Sequence, residues 1–208
     1  MKISGGQSEN GIEIGNFFDK YNSKNPIVNI LMQDFSRNLN SLVDATQTKD
    51  VHEVGCGEGY WVSEWASKGL KTQGSDFSSL AIDMAKENLK SLNQEADLKI
   101  KEIYDLTPEV DSATLVICCE VLEHLEQPRR ALEALRNIAK PYLILSVPRE
   151  PIWSILNMLR GKYWSNLGCT PGHIQKWSKS EFITLVGEYF EILETRSPLP
   201  WTMILCKK

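Results

Sequence analysis

The chain has 208 residues, 42% of them apolar and 24% charged, enough for one domain with its own core. Its net charge of −4 excludes the broad basic face that a non-specific nucleic-acid binder needs. No apolar run approaches the ~20 residues that span a bilayer, and the polar opening MKISGGQSEN carries no signal-peptide segment, so a cytoplasmic location is expected.

Residues 1–15, rich in Gly, Ser and Asn, are expected to form a flexible leader, and residues 16–208 a single domain. Asn25 then Pro26 read as N-cap and first helical position. Ile27, Ile30, Leu31, Phe35, Leu39 and Leu42 continue at helical spacing and predict a helix over 26–44. From residue 51 strands and helices alternate. VHEV (51–54) is a short buried strand, and YWVSEWASK (60–68) a helix ended by Gly69. KTQGSD (71–76) is the second strand, followed by a helix over 79–92. LKIKEI (98–103) and TLVICC (114–119) are the next strands. A helix over 128–139 leads to YLILSV (142–147). Ser178 and Glu181 form a capping box that opens a helix. The chain closes with FEILETR (190–196) and WTMILCK (201–207), joined by only Ser197 to Pro200. That link is too short for a parallel crossover, so the last strand must run antiparallel. Alternating strands and helices predict an α/β, doubly wound, mostly parallel sheet covered on both faces. Five cysteines, Cys56, Cys118, Cys119, Cys169 and Cys206, form no CxxC pair and read as reduced thiols.

The chemistry concentrates where the first strand meets its helix, in Glu53-Val54-Gly55-Cys56-Gly57-Glu58-Gly59. Glycines there let the backbone turn tightly and bring N–H groups close to a ligand. The spacing is GxGxG. A dinucleotide fingerprint would require glycine at Tyr60. Asp76, at the end of the second strand, can accept both hydroxyls of a ribose, or else cap the helix that begins near Ser78.

In order along the chain, EVGCGEG, GSDFS (74–78), LVICCEVLEHL (115–125) and LILSVP (143–148) resemble the motifs of class I S-adenosylmethionine-dependent methyltransferases, nearest to the ubiquinone and menaquinone biosynthesis group. The resemblance implies a Rossmann-like sheet of seven strands in the order 3-2-1-4-5-7-6. It implies S-adenosylmethionine as cofactor, with S-adenosylhomocysteine as product. Gly55, Gly57 and Gly59, flanked by Glu53 and Cys56, would line the methionine moiety. Asp76, with Phe77 beside it, would hold the ribose, and Glu102 and Ile103 would reach the adenine. Cys118 and Cys119, at a strand's carboxyl end, would border the sulfonium, although Cys118 can equally be a core residue.

Glu120, Glu123 and His124 have the look of metal ligands, and some RNA-end methyltransferases of this superfamily use such a cluster. Those carry further histidines shortly downstream, where this chain has Glu126, Gln127, Pro128 and Arg129, so no metal is expected. His124 is taken as a residue near the site mouth, a second catalytic candidate. The helical segment 16–45 is expected to act as a lid, with Tyr21 bordering the methyl; Phe17 and Phe18 either share that role or pack on the first helix. Residues 149–177 are expected to form a substrate flap, with Arg149, Tyr163, Trp164 and Trp177 as substrate-binding residues; alternatively its tryptophans merely pack onto the domain. His173, on a Pro-Gly turn, is the candidate general base because histidine titrates near neutral pH.

The function these features imply is in-line methyl transfer to an unidentified acceptor, with a small molecule favoured. Two alternatives stand beside it: a nicotinamide-dependent oxidoreductase, and a module that binds the cofactor without catalysis.

Overall fold

The computed structural model describes residues 1–9, 11–16 and 18–208. Two short strands, β1 (Ser8–Glu9) and β2 (Ile12–Glu13), pair antiparallel ahead of the first helix. The flexible leader expected over 1–15 is therefore corrected: Ser4 and Ile14 are buried, and the Ser4 hydroxyl donates to the Ile14 carbonyl at 2.6 Å. Composition pointed to a loose segment, but the backbone finds hydrogen-bond partners on the domain itself. Phe17 lies outside the described residues.

Helix α1 (Pro26–Thr46) begins as expected, with the Asn25 side chain accepting from the Ile27 amide at 2.9 Å. Its buried stripe starts only at Met32 and runs through Phe35, Leu39, Leu42 and Val43. Ile27 and Ile30 stay exposed.

The remaining elements alternate: β3 (Asp50–Val54), α2 (Tyr60–Ser67), β4 (Lys71–Asp76), α3 (Ser79–Ser91), β5 (Asp97–Ile100), α4 (Pro108–Asp111), β6 (Ala113–Cys119), α5 (Pro128–Ile138), β7 (Ala139–Pro148), α6 (Ile152–Leu159), α7 (Lys179–Gly187), β8 (Glu191–Arg196) and β9 (Trp201–Lys207). The seven-stranded sheet has the order β5-β4-β3-β6-β7-β9-β8. This is the order implied by the resemblance. β9 runs antiparallel to both neighbours, with Tyr142 opposite Lys207 and Pro148 opposite Trp201. β5 ends three residues before the expected boundary. Its one sheet neighbour, β4, stops at Asp76, and after Lys101 donates to the Asp76 carbonyl the chain turns into a 3-10 turn, Ile103–Asp105.

Strand alternation sorts the core into two layers. Val51, Leu115, Ile117, Ile144, Met203 and Leu205 pack under α1 and α2, where Trp61 and Trp65 stack at 5.5 Å. Val54, Val116, Cys118, Leu143, Leu145 and Ile204 pack under α5 and α7. The capping box of α7 forms as expected, Ser178 accepting from the Glu181 amide and the Glu181 carboxylate from that of Ser178.

Polar side chains also lie wholly inside this frame. His52 is fully buried, with Nδ1 2.7 Å from the Asp111 carbonyl and Nε2 2.9 Å from the Ser75 hydroxyl. Nδ1 must carry the proton to satisfy the carbonyl, and Nε2 then accepts from Ser75. Burial pushes its imidazolium below the ordinary histidine value of 6.5. A base whose folded pKa is depressed leaves stability intact above the unfolded pKa and removes it as pH falls below that value. Chemical denaturation against pH should therefore show a loss of stability beginning near 6.5 on acidification. In His52→Gln that component should vanish, with a constant loss of about 1–3 kcal/mol at pH 8 from the disturbed hydrogen bonds.

Candidate active site

The carboxyl ends of β3, β4 and β6 meet around the Gly55–Gly59 turn. Gly55, Gly57 and Gly59 all take positive φ, and a Cβ on Gly55 would lie 2.3 Å from Val121 Cγ2. The turn is thus packed against the loop after β6, so close approach is required there as well as the dihedral angle. Asp76 grips the turn from the neighbouring strand: Oδ2 accepts from the Gly57 amide at 2.9 Å and Oδ1 from the Ser78 amide at 3.0 Å. One carboxylate thus reaches the glycine turn and also supports the start of α3, whose N-cap is Ser78. Burial pushes its pKa up, offset in part by these two amides. Phe77 follows it, half-buried.

Three further carboxylates gather at the strand ends. Glu53 is 4% exposed, and its Oε2 has no hydrogen-bond partner. Burial holds its acid well above the ordinary glutamate value, with Asp76 adding to the effect. Glu120 stands at φ +59 just past β6. Its Oε1 accepts from the Ser146 hydroxyl at 2.9 Å and its Oε2 from the Trp201 indole at 2.6 Å, while burial pushes it up to about 7. Glu123 is 2% exposed, with neither carboxylate oxygen partnered. Burial, then the charge of Glu120, raise its pKa. The ammonium of Lys20 lowers all three acids, a contribution that nothing in the sequence pattern signalled.

The segment before α1 lies over this ground. Glu58 Oε1 accepts from the amides of Ser4 (2.8 Å) and Asn16 (2.7 Å), and Oε2 from the Asn16 side chain at 2.8 Å. Burial alone would raise the Glu58 acid, but these donors outweigh it and hold it below the ordinary value. Glu9 accepts from the hydroxyls of Ser78 and Ser79 at the start of α3. Tyr21 stacks on Tyr60 at 3.5 Å and meets Trp61 edge-on at 5.8 Å. Its hydroxyl is raised by burial and then by Glu53, which lies close to it. Phe18 is exposed.

Several of the expected site residues are drawn into packing or left at the surface. Cys118 points into the core beneath α5, fully buried, and is a packing residue, whereas Cys119 is half-buried on the other face. Cys56 is buried against α3 residues. Ile103 is also core, because the strand ends before it; Glu102 is exposed and close enough to Asp76 to raise its pKa. In the segment 149–177, Trp164 is 66% exposed and Tyr163 37%. Trp177 packs on Phe182 at 5.6 Å. Packing of Trp177 onto the domain, the plainer of the two readings, is what the geometry supports. Arg149 pairs with Trp177 through the backbone, and its Nε is buried without a partner.

His173 and His124 do come together, edge to face at 4.8 Å, with Trp153 stacked against His173 at 5.8 Å. Burial, followed by the charge of His124, pushes His173 down to about 3, which lowers its proton affinity as a candidate base.

Residues 52–142 match a family described as a methyltransferase domain. The chain is 25% identical over 153 residues to a ubiquinone biosynthesis O-methyltransferase of Coxiella burnetii, covering 66% of this chain and 64% of that protein. It is 34% identical over 96 residues to the protein of that name from Paraburkholderia xenovorans, covering 45% of this chain and 40% of the relative. The chain therefore spans just under two thirds of the length of the first of these relatives. Among solved structures it is similar to magnesium protoporphyrin IX methyltransferase from Synechocystis PCC 6803 with bound SAH, at a TM-score of 0.68, 18% identity and 89% coverage of both chains. It is also similar to a small RNA methyltransferase, at 0.68 and 19%, covering 84% of this chain and 25% of that one.

If Glu58 is the anchor of the leading segment, Glu58→Ala should raise amide exchange at Ser4 and Asn16 at least tenfold while β3 and β6 stay protected. Unchanged protection at Ser4 and Asn16 would show that other contacts hold the segment.

Proposed function

This chain has the class I methyltransferase fold, with residues 52–142 matched by a methyltransferase-domain family, and from that premise we propose that it is an S-adenosylmethionine-dependent methyltransferase acting on a small acceptor. The observation that carries the reading is the charge at the strand ends. Glu53, Glu120 and Glu123 are withdrawn from water near the ammonium of Lys20, and among the described residues three of their six oxygens lack a hydrogen-bond partner. A buried acceptor without a donor costs about 1–3 kcal/mol, more when charged. A donor carrying both an ammonium and a sulfonium offsets that cost; a nicotinamide dinucleotide, with its two phosphates, would meet repulsion. The GxGxG spacing speaks against the dinucleotide as well.

The residues fit the cofactor in three places. Asp76 has one amide on each oxygen and retains lone pairs for ribose hydroxyls. The glycine turn offers backbone at close range. Glu53 offers an anionic oxygen for the amino group. When bound, S-adenosylmethionine supplies a methyl group made electrophilic by positive sulfur. The chain's own work is then to position the acceptor and exclude water. Tyr21, stacked on Tyr60, and the segment anchored on Glu58 cover the crevice and suit that role.

The relatives from Coxiella burnetii and Paraburkholderia xenovorans are named ubiquinone biosynthesis O-methyltransferase, which favours a small hydroxyl-bearing acceptor. RNA remains a second class of acceptor, since one structural neighbour is a small RNA methyltransferase; the net charge of −4 weighs against it. None of the described helices is long and apolar enough to cross a membrane. Five unpaired cysteines suit a reducing compartment and support a cytoplasmic placement.

Isothermal titration with S-adenosylhomocysteine should give one site per chain, and titration with NAD none. Asp76→Ala should weaken S-adenosylhomocysteine at least tenfold. Tight NAD binding, or an Asp76→Ala protein with unaltered affinity, would overturn the assignment.

A further inference from the structure

The chain has seven arginines, and the fold gives six of them a partner. Arg37, Arg129 and Arg196 pair with Asp34, Glu188 and Glu194. Arg136 donates to the Tyr189 carbonyl, Arg160 to the Asn157 side chain, and Arg130 lies over the Tyr104 ring. Arg149 differs. Among the described residues its guanidinium donates to no acid or carbonyl and lies over no ring, and its Nε is closed off from water as well. We propose that Arg149 is an oxyanion subsite, which binds a carboxylate or phosphate group of the acceptor.

Its place in the fold suits that role. Arg149 is the first residue beyond β7, the strand beside β6, at the sheet end where open α/β folds seat their ligands. Its backbone is fixed from three directions. The amide donates to the Pro200 carbonyl at 2.9 Å, the carbonyl accepts from the Trp153 amide at 2.9 Å, and the residue bridges to Trp177. The side chain thus springs from a rigid base, which lowers the ordering cost of binding. With Nε sealed, the two Nη groups are the open end. Their parallel N–H groups can engage two oxygens of one carboxylate or phosphate, which a lysine cannot do.

The acids that could neutralise Arg149 are engaged elsewhere. Glu150, next in the chain, turns its carboxylate to the Ser154 amide (3.2 Å) and hydroxyl (2.8 Å) at the start of α6. Glu120, past the end of β6, accepts from the Ser146 hydroxyl and the Trp201 indole. A guanidinium drawn partly out of water with no acceptor is costly, and an anion offsets that cost. The charges at the strand ends are therefore sorted: acids by β3 and β6, a guanidinium beyond β7. Arg149 lies three residues past Ser146, which holds Glu120. That is about 10 Å of extended strand. An acceptor anchored by its anionic end on Arg149 can direct its nucleophile back toward β6. This last step rests on the methyl-transfer reading; the anion subsite does not.

The test titrates the nitrogen-15-labelled chain, with and without saturating S-adenosylhomocysteine, with benzoate, phenyl phosphate and neutral benzamide. The arginine side-chain signal that disappears in Arg149→Gln identifies the residue. At least one of the two anions should bind once per chain and move that signal, with benzamide at least tenfold weaker. Preference for benzoate assigns a carboxylate acceptor, and preference for phenyl phosphate a phosphate ester. Arg149→Gln should weaken the anion at least tenfold while S-adenosylhomocysteine affinity stays within twofold. Should Arg149→Gln fail to fold, Arg149→Lys carries the comparison, since it keeps the charge and loses the fork; at least a threefold loss is expected. Failure of both anions to bind, equal binding of benzamide, or undiminished anion affinity in the variant overturns the proposal. S-adenosylhomocysteine binding without anion binding removes the subsite alone. Anion binding at Arg149 in a chain that takes no S-adenosylhomocysteine leaves the subsite standing and removes the methyl-transfer reading.

Discussion

Everything at the crevice follows from negative charge kept out of water with too few partners. Glu53 and Glu123 are almost wholly buried at the ends of neighbouring strands, and between them expose three carboxylate oxygens to no donor. Asp76 and Glu58 are buried as well, but they are satisfied: one by the glycine turn and the start of α3, the other by the segment before α1. The contrast divides the acids by task. Satisfied carboxylates hold the architecture, and unsatisfied ones hold capacity for a cationic ligand.

The sheet makes this division possible. A parallel sheet carries its loops at the carboxyl ends of its strands, and β3 and β6 lie side by side at its centre, where the direction of winding reverses. Glu53 on one and Glu120 just past the other are neighbours for that reason alone. The tight contact between Gly55 and Val121 locks the two loops together, so the acids cannot relax apart into solvent. The cover is likewise assembled from the chain's own backbone, since Asn16 and Ser4 bind Glu58 directly beside the turn, with Gly15 Cα 3.7 Å from where a Cβ of Gly57 would stand.

Much of this was legible in the residues. Periodicity and caps located α1, α2, α3, α5 and the seven strands of the large sheet within three residues but not α6, and the short Ser197–Pro200 link foretold the antiparallel last strand. Asp76 and the glycine turn come together as their local spacing suggests, through the Gly57 amide. What sequence pattern could not convey was direction and distance. Cys118 and Cys119 are adjacent, yet the alternation of β6 sends one into the core and the other toward the opposite face. Tyr163 and Trp164 looked like pocket residues by composition, but the segment folds around the buried Asn157, whose side chain donates to the Gly168 carbonyl at 2.8 Å, and turns them outward. Lys20 and the pairing of His173 with His124 depend on tertiary contacts that no local motif announces. The leader was misjudged for the same reason: its polar composition says nothing of the acceptors waiting on Glu58.

The measurement that bears most directly on the central claim is a crystal structure of the chain with S-adenosylhomocysteine. The account predicts ribose hydroxyls on the Asp76 carboxylate, the amino group within hydrogen-bond reach of Glu53, and the homocysteine chain along Gly55–Gly59. A ligand seated elsewhere, or Glu53 still without a donor in the complex, would contradict it.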